Sequence, residues 1–443
     1  MRHQVRSKAS LGYLFALAAG PLLAQAATLP GSAQALTGRW LVTFDIHGTR
    51  TFASMDIEQH NEKISGTYDG QKLEGSLKDG SLHLRAQDES GGETFDATLK
   101  GGVLAGSVVD YDNADIDHPD RYTFTATRVP EPHPREPVHH EFAPSVFYRE
   151  FSALNKPALT VAPGDTIHTT TIDAGGADET GQRRVLGGNP QTGPFYIESA
   201  LPGDTLVVHL TRLRLNRDYA LSDDAIVSRG LDSGLAVKMK DGGKTVRWHL
   251  DLTKGTASLE KPGEHTAQYA IPVQPMLGCV ATAPAPTRAA PNTGDSGTYG
   301  GNMDFNEITE GTTLYLPVSV PGALLYIGDG HAVQGDGELN GNALETSMDV
   351  EFTIDVVRGR RTPSPRVESA THIMAMGLGG SLDDAFRSAT SNMAQWLTDD
   401  YKLTPSELAE VLGPAAQYEV SEVADRNTGV VLKLRKDVLK TLH

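Results

Sequence analysis

The sequence predicts a mainly β fold in two modules, with helices only near the C-terminal end, and three features predict it. Strand-length runs of alternating apolar and polar residues recur over residues 36–128, separated by Gly, Asp and Asn. Further β-rich runs with Pro-Gly and Gly-rich turns continue to about residue 357. Helical spacing shows only beyond Ser381, where Phe386, Ala389, Met393 and Leu397 recur on one face. The 46 glycines and 25 prolines in 443 residues suit many short strands, and the length allows more than one domain.

Taken in order, the chain opens with Arg2, Arg6 and Lys8, an apolar segment over 11–23, and Ala24-Gln25-Ala26. This is the three-part build of a secretory signal peptide, so residues 1–26 are expected to be removed by cleavage after Ala26. The apolar segment is short and broken by Gly20-Pro21, which argues against a retained anchor, and no other stretch is long enough to span a bilayer. The expected mature protein is periplasmic or secreted, with no stable membrane anchor. The single cysteine, Cys279, allows no intramolecular disulfide, and in the apolar run 276–283 it reads as a small buried side chain rather than a nucleophile. A formal charge of −17 with no offsetting basic run excludes a nucleic-acid partner.

Residues 36–128 include RWLVTFDI, KISGTYDG, SLHLRAQ and TFDATLKGG, the pattern of a small antiparallel β-barrel or sandwich. Its role stays open between a ligand site in a barrel mouth and a structural or oligomer-forming part. Residues 129–144 carry PEPHPREPVHH, read as a proline-rich extended connector in which His133, His139 and His140 are surface residues.

Residues 145–443 read as a large β-rich domain, sandwich- or barrel-like. TIHTTTID over 166–173 is a strand ending at Asp173 before two glycines. Residues 314–320 and 323–327 are strands flanking Pro321-Gly322, in a hairpin or a longer-range pairing. The box at Ser381–Asp384 opens one helix; Thr404-Pro405 opens a second, closed by Gly413, and residues 417–434 return to the sheet.

Chemistry concentrates over 299–349, where Asn302, Asp304, Asp329, His331, Gln334, Asp336, Glu338 and Glu345 lie between apolar runs with glycines at the junctions. Carboxylates and an imidazole carried on neighbouring strand ends share a small volume, where they must pair, protonate or bind a cation. GxSxG and HExxH motifs are absent. Hydrolytic chemistry at such a centre would use water activated by a carboxylate, by a metal ion, or by both. A set containing His331 suits Zn²⁺ or another divalent ion, and an all-oxygen subset suits Ca²⁺ or Mg²⁺.

GGNMD at 300–304, LYLPV at 314–318, GALL at 322–325 and GDGHAVQGDGE at 328–338 resemble the acetamidase/formamidase family. NPQTGPFYIESALPGDTLVVHL at 189–210 and PMLGCVATAPA at 275–285 extend the resemblance, which is ordered over about residues 144–442. It implies an amidase acting on carbon–nitrogen bonds other than peptide bonds, with a small-molecule amide substrate and a homo-oligomeric state. It also puts the acidic residue at the first strand end, Asp173, in the active region. On chemical grounds Glu338 is the expected general base, His331 and Asp304 are polarisers or ligands, and Asn302 is the donor to the substrate carbonyl. Asp304, Asp329, His331 and Asp336 are the candidate ligands for a divalent metal, Zn or Ca. Asp173, Gly301, Tyr299 and Gln334 are the candidate substrate contacts. Tyr299 stands where many members of the family carry a histidine, and the leader and added module extend the expected substrates to larger or cyclic amides. The alternative is a non-catalytic periplasmic protein that binds a cation or a small polar ligand on the same scaffold.

Overall fold

Two-residue turns set the register of the first module. At His47-Gly48, Asp69-Gly70, Asp79-Gly80 and Gly101-Gly102 both residues have positive φ, the turn geometry whose twist matches that of the flanking strands. The computed structural model describes residues 36–115, 117–131, 135–239, 242–286 and 289–442; the expected leader at 1–26 and His133 lie outside them. Eight strands, from Gly38–Ile46 to Asp120–Arg128, pair antiparallel in sequence order, and the first also pairs with the last to close a barrel. Strict alternation, as in Ser81–Gln87, turns Leu82, Leu84 and Ala86 inward. Phe44, Tyr68, Phe95 and Phe124 form a ring of contacts inside, with centroids 4.9 to 6.4 Å apart, so side chains fill the lumen.

The barrel is fastened to the second module by a buried ion pair. Arg39, on the first barrel strand, donates to Asp204 of the turn before strand Thr205–Leu215; their side chains are 4% and 0% exposed. Asp204 also accepts from the backbone N–H groups of Leu201 (2.9 Å) and Gly359 (2.8 Å). The sequence suggests only a turn-shaping role for Asp204; the structure adds the interface. Beyond the barrel, the expected connector 129–144 ends inside a sheet, because His139–Phe142 runs parallel to strand Thr166–Thr170.

In the second module a twelve-stranded and a nine-stranded sheet share one core. Phe195, Ile197, Leu277, Val280, Leu325 and Ile327 of the first pack with Leu206, Val208, Leu210, Val350, Phe352 and Ile354 of the second. This is the β-rich domain the sequence predicts. Thr313–Pro317 belongs to the nine-stranded sheet and Leu325–His331 to the other, so Pro321-Gly322 makes a crossing between sheets and no hairpin. Helix Leu382–Tyr401, capped by Ser381, lays Ala385, Ala389, Met393, Trp396 and Leu397 on the outer face of the nine-stranded sheet. Phe386 lies off that stripe, half exposed and stacked on Tyr418 at 4.4 Å. The second helix, Pro405–Ala415, starts in a Thr404/Glu407 capping box and continues past Gly413, which does not close it.

Removing one partner of a buried ion pair leaves an uncompensated charge, so Arg39→Ala is expected to destabilise the protein by about 3–5 kcal/mol in urea unfolding. Replacing both partners with apolar residues of similar volume is expected to recover much of that loss.

Candidate active site

The site grows from one strand and what flanks it. In Leu325–His331, Asp329 and His331 are two apart and therefore point to the same face. Met276–Ala281 pairs on one side and Glu345-Thr346 on the other, with Glu345 directly opposite His331. Gly328 and Gly330 alternate with these residues. A Cβ on Gly328 would lie 2.5 Å from Gln191 Oε1 and displace that side chain, and one on Gly330 would strike Met348 of the facing sheet, so glycine at 330 lets the two sheets pack closely. Across the site, a Cβ on Gly278 would run into Asp304 Oδ1 and lie 2.5 Å from Asp329 Oδ2 and 3.0 Å from His331 Cε1. The bare backbone at Gly278 is thus the floor over which these groups meet.

Neighbouring segments lock the cluster. Asn302 donates both amide hydrogens to carboxylates, Asp304 Oδ2 at 2.6 Å and Asp425 Oδ2 at 2.6 Å, while its oxygen accepts from Asn189. Gln334 Oε1 accepts from His331 Nδ1 at 2.9 Å, and Gln334 Nε2 donates to the carbonyl of Asp304 at 2.5 Å. Glu338 Oε1 accepts from the Ala343 N–H at 3.0 Å. Asp304, Asp329 and Glu338 all have positive φ (43°, 58° and 45°), a backbone region uncommon for residues with side chains and concentrated at functional sites.

Burial dominates the electrostatics. It raises the Asp304 carboxyl well above the usual range, with Glu338 and Asp329 adding repulsion. It pushes Glu338 up to about 8 and Glu345 up to about 7, against the opposing pull of His331. For His331 burial disfavours the cation, but Glu345 and Asp329 outweigh it and hold the imidazole well above its ordinary value. His331 Nε2 lies 3.2 Å from Glu345 and 3.4 Å from Asp329 yet is aligned for a hydrogen bond with neither.

These residues fit a divalent cation. Asp304 Oδ1, His331 Nε2 and Glu345 Oε2 are buried without a hydrogen-bond partner, as atoms awaiting a ligand would be. Two donor sets, Asp304/His331/Glu338 and Asp329/His331/Glu345, each bring their ligand atoms within 4.8 Å of one another. The mixed N/O chemistry suits Zn²⁺, and the surplus of carboxylates suits a harder ion such as Ca²⁺.

The cluster opens into a cavity of about 1030 Å³, lined among others by Asn189, Asn302, Asp329, Glu338 and Glu345. Of the residues expected from sequence, Asn302, Asp304, Asp329, His331, Gln334 and Glu338 come together here. Asp173 lines the same cavity but is paired with buried Arg217 at 2.8 Å. With both hydrogens taken, Asn302 fixes two carboxylates and does not present a donor to a substrate carbonyl. Gln334 holds the imidazole rather than a substrate. Asp336 is exposed and accepts from Asn306 at 2.8 Å, away from the donor sets. Tyr299 packs on Phe151 at 5.5 Å and does not line the cavity; Gly301 is turned to the Asp295 backbone. Sequence reading gives no role to Glu345 and misses Gly278, Asn189, Arg217 and Asp425. Gly278 and Asn189 fall inside the quoted PMLGC and NPQTGP stretches, whereas Asp425 has no local signal.

Fold and site together define a two-sheet β protein with a buried acidic–imidazole centre. Residues 276–374 match the model of the Acetamidase/Formamidase family. The acetamidase of Mycolicibacterium smegmatis is 41% identical over 61 residues, which is 14% of this chain and 15% of that protein, so the match spans a small part of this relative's length. The crystal structure of an acetamidase from Yersinia enterocolitica superposes with a TM-score of 0.59 at 27% identity, covering 69% of this chain and 94% of that one. An acetamidase structure from Bacillus halodurans gives 0.58 at 28% identity, covering 68% and 99%. On these matches the chain is similar to the acetamidase/formamidase family over residues 276–374 and shares the fold of solved acetamidases.

Two outcomes test the site's geometry. Gly278→Ala is expected to lose about 1–3 kcal/mol of stability by overpacking. Gly294→Ala, with nothing within 4 Å of its added methyl, should change by less than about 0.5 kcal/mol. Because the folded-state values of Glu338 and Glu345 (about 8 and 7) lie above the ordinary 4.5, their contribution is fully present below about pH 4.5 and is lost as pH rises through 7 to 8. With chelator present, the melting temperature should fall over that window, and less steeply in Glu338→Gln.

Proposed function

We propose that this protein hydrolyses linear carboxamides, releasing ammonia or an amine and a carboxylate, with water activated at Glu338. One observation carries the reading: the family-matched span 276–374 contains Asp304, Asp329, His331, Glu338 and Glu345, all five are buried in one cluster, and Asp329, Glu338 and Glu345 line the cavity. A thiol nucleophile does not fit, since Cys279 is fully buried and burial holds its thiol well above the usual range.

Glu338, ionised, takes a proton from water as the water oxygen attacks the amide carbon. It then returns that proton to the amide nitrogen, the C–N bond breaks, and the amine leaves neutral. His331, held by Gln334 and carrying positive charge among the acids, stabilises the developing oxyanion in the place first expected for Asn302. Asn302, itself held by Asn189, fixes the Asp304 carboxylate, and Gln334 ties the Asp304 backbone to the imidazole. A divalent ion held by Asp329, His331 and Glu345, or by Asp304, His331 and Glu338, would require His331 as a neutral imidazole and would supply, in place of its positive charge, polarisation of the carbonyl and a more acidic water. The cavity of about 1030 Å³ exceeds what formamide or acetamide needs, which supports larger linear or cyclic amides as substrates. We place the mature protein in the periplasm or outside the cell on the leader sequence, and as a homo-oligomer on family resemblance.

Ammonia release over formamide, acetamide and larger amides tests the reading. Glu338→Gln is expected to lower kcat by about 10²–10⁴-fold with little change in KM. Unchanged turnover in that variant would overturn the base assignment, and no release from any amide would overturn the activity.

A further inference from the structure

We propose a second divalent-metal site, distinct from the cavity, on the outer face of the nine-stranded sheet, formed by His139, Glu141 and His168 with Glu351 at the fourth position. The register builds it. His139–Phe142 runs parallel to Thr166–Thr170 with Glu141 opposite His168, and His168 is in turn opposite Glu351 on antiparallel Met348–Val357. Ile167 and Thr169, the alternate residues, are buried on the other face, so these donors share the outer one.

The ligand atoms already converge. His139 Nε2 is 3.0 Å from Glu141 Oε1, His168 Nδ1 is 2.6 Å from Glu141 Oε2, and all three groups present donors within 4.8 Å of one another. Glu351 Oε2 lies 4.0 Å from His139 Nε2, while its other oxygen is occupied by the Thr211 hydroxyl at 2.8 Å. Tetrahedral zinc with bonds near 2.0–2.2 Å sets its ligands about 3.3–3.5 Å apart, within the range seen here. The remaining nitrogen of His168 faces Asp349 at 3.1 Å, and Arg212 fixes that carboxylate at 3.1 Å. A carboxylate behind a ligating imidazole is the arrangement that orients the ring in zinc sites.

Four protein ligands leave no open position, so the site is structural. It ties three adjacent strands together at the sheet edge. The outermost of them, His139–Phe142, is the first strand after the connector from the barrel, and its only strand partner among the described residues is Thr166–Thr170. A metal here would hold that edge strand in place.

The test uses the full chain stripped with chelator and titrated with ZnCl₂, read by elemental analysis after equilibrium dialysis and by thermal unfolding. Wild type is expected to bind one zinc per chain more than the His139→Ala/His168→Ala double variant, and that increment should raise the melting temperature only in wild type. Asp349→Asn, which keeps all four ligands, is expected to weaken this zinc by about 10–100-fold. Equal zinc stoichiometry and equal thermal response in wild type and the double variant would overturn the proposal and leave the cluster a network of surface ion pairs.

Discussion

The missing side chain at Gly278 is the constraint on which the centre depends. Asp304 arrives from the segment after strand Gly300–Asn302, and Asp329 and His331 from strand Leu325–His331. They meet only because the strand between them has no Cβ at the point of contact. The antiparallel register then brings Glu345 opposite His331. Four ionisable groups are thereby gathered in a buried cluster at the edge of the cavity, where each is felt by its neighbours.

Such a gathering opposes folding. Buried carboxylates that are pushed toward neutrality, and three residues held at positive φ, cost free energy that the rest of the molecule must offset. The shared core between the two sheets supplies that reserve through extensive apolar burial. Polar partners do the rest. Asn302 and Gln334 each satisfy two groups at once, and Arg217 neutralises Asp173 at the cavity wall. The barrel joins the second module through the buried pair of Arg39 and Asp204.

The parts of this structure that were legible in sequence are those written in local pattern. Period-two alternation with Asp-Gly and Gly-Gly turns gave the barrel strands, because a closed small barrel repeats one inward and outward rule along every strand. The glycine-punctuated acids from Asn302 to Glu338 pointed to the cavity because their segments are adjacent in sequence and in space. What failed is what depends on tertiary pairing. Pro321-Gly322 looks like a hairpin turn, yet the strands it joins belong to different sheets. Asp336 has the same local setting as Asp329 but falls on an exposed turn, and Tyr299 points into an aromatic cluster. Asn189, Arg217 and Asp425 reach the site from more than a hundred residues before or nearly a hundred after its main strand, a distance no local pattern spans.

The central claim is that Asp304, Asp329, His331, Glu338 and Glu345 form a preorganised centre in which two donor sets share the His331 imidazole. Anomalous diffraction from crystals grown with Zn²⁺, recorded at the zinc edge, tests this most directly. The account predicts a peak bonded to His331 Nε2 and at least two of these carboxylates, above Gly278. Fully active protein whose crystals show no density among these side chains, with His331 turned away from the acids, would contradict it.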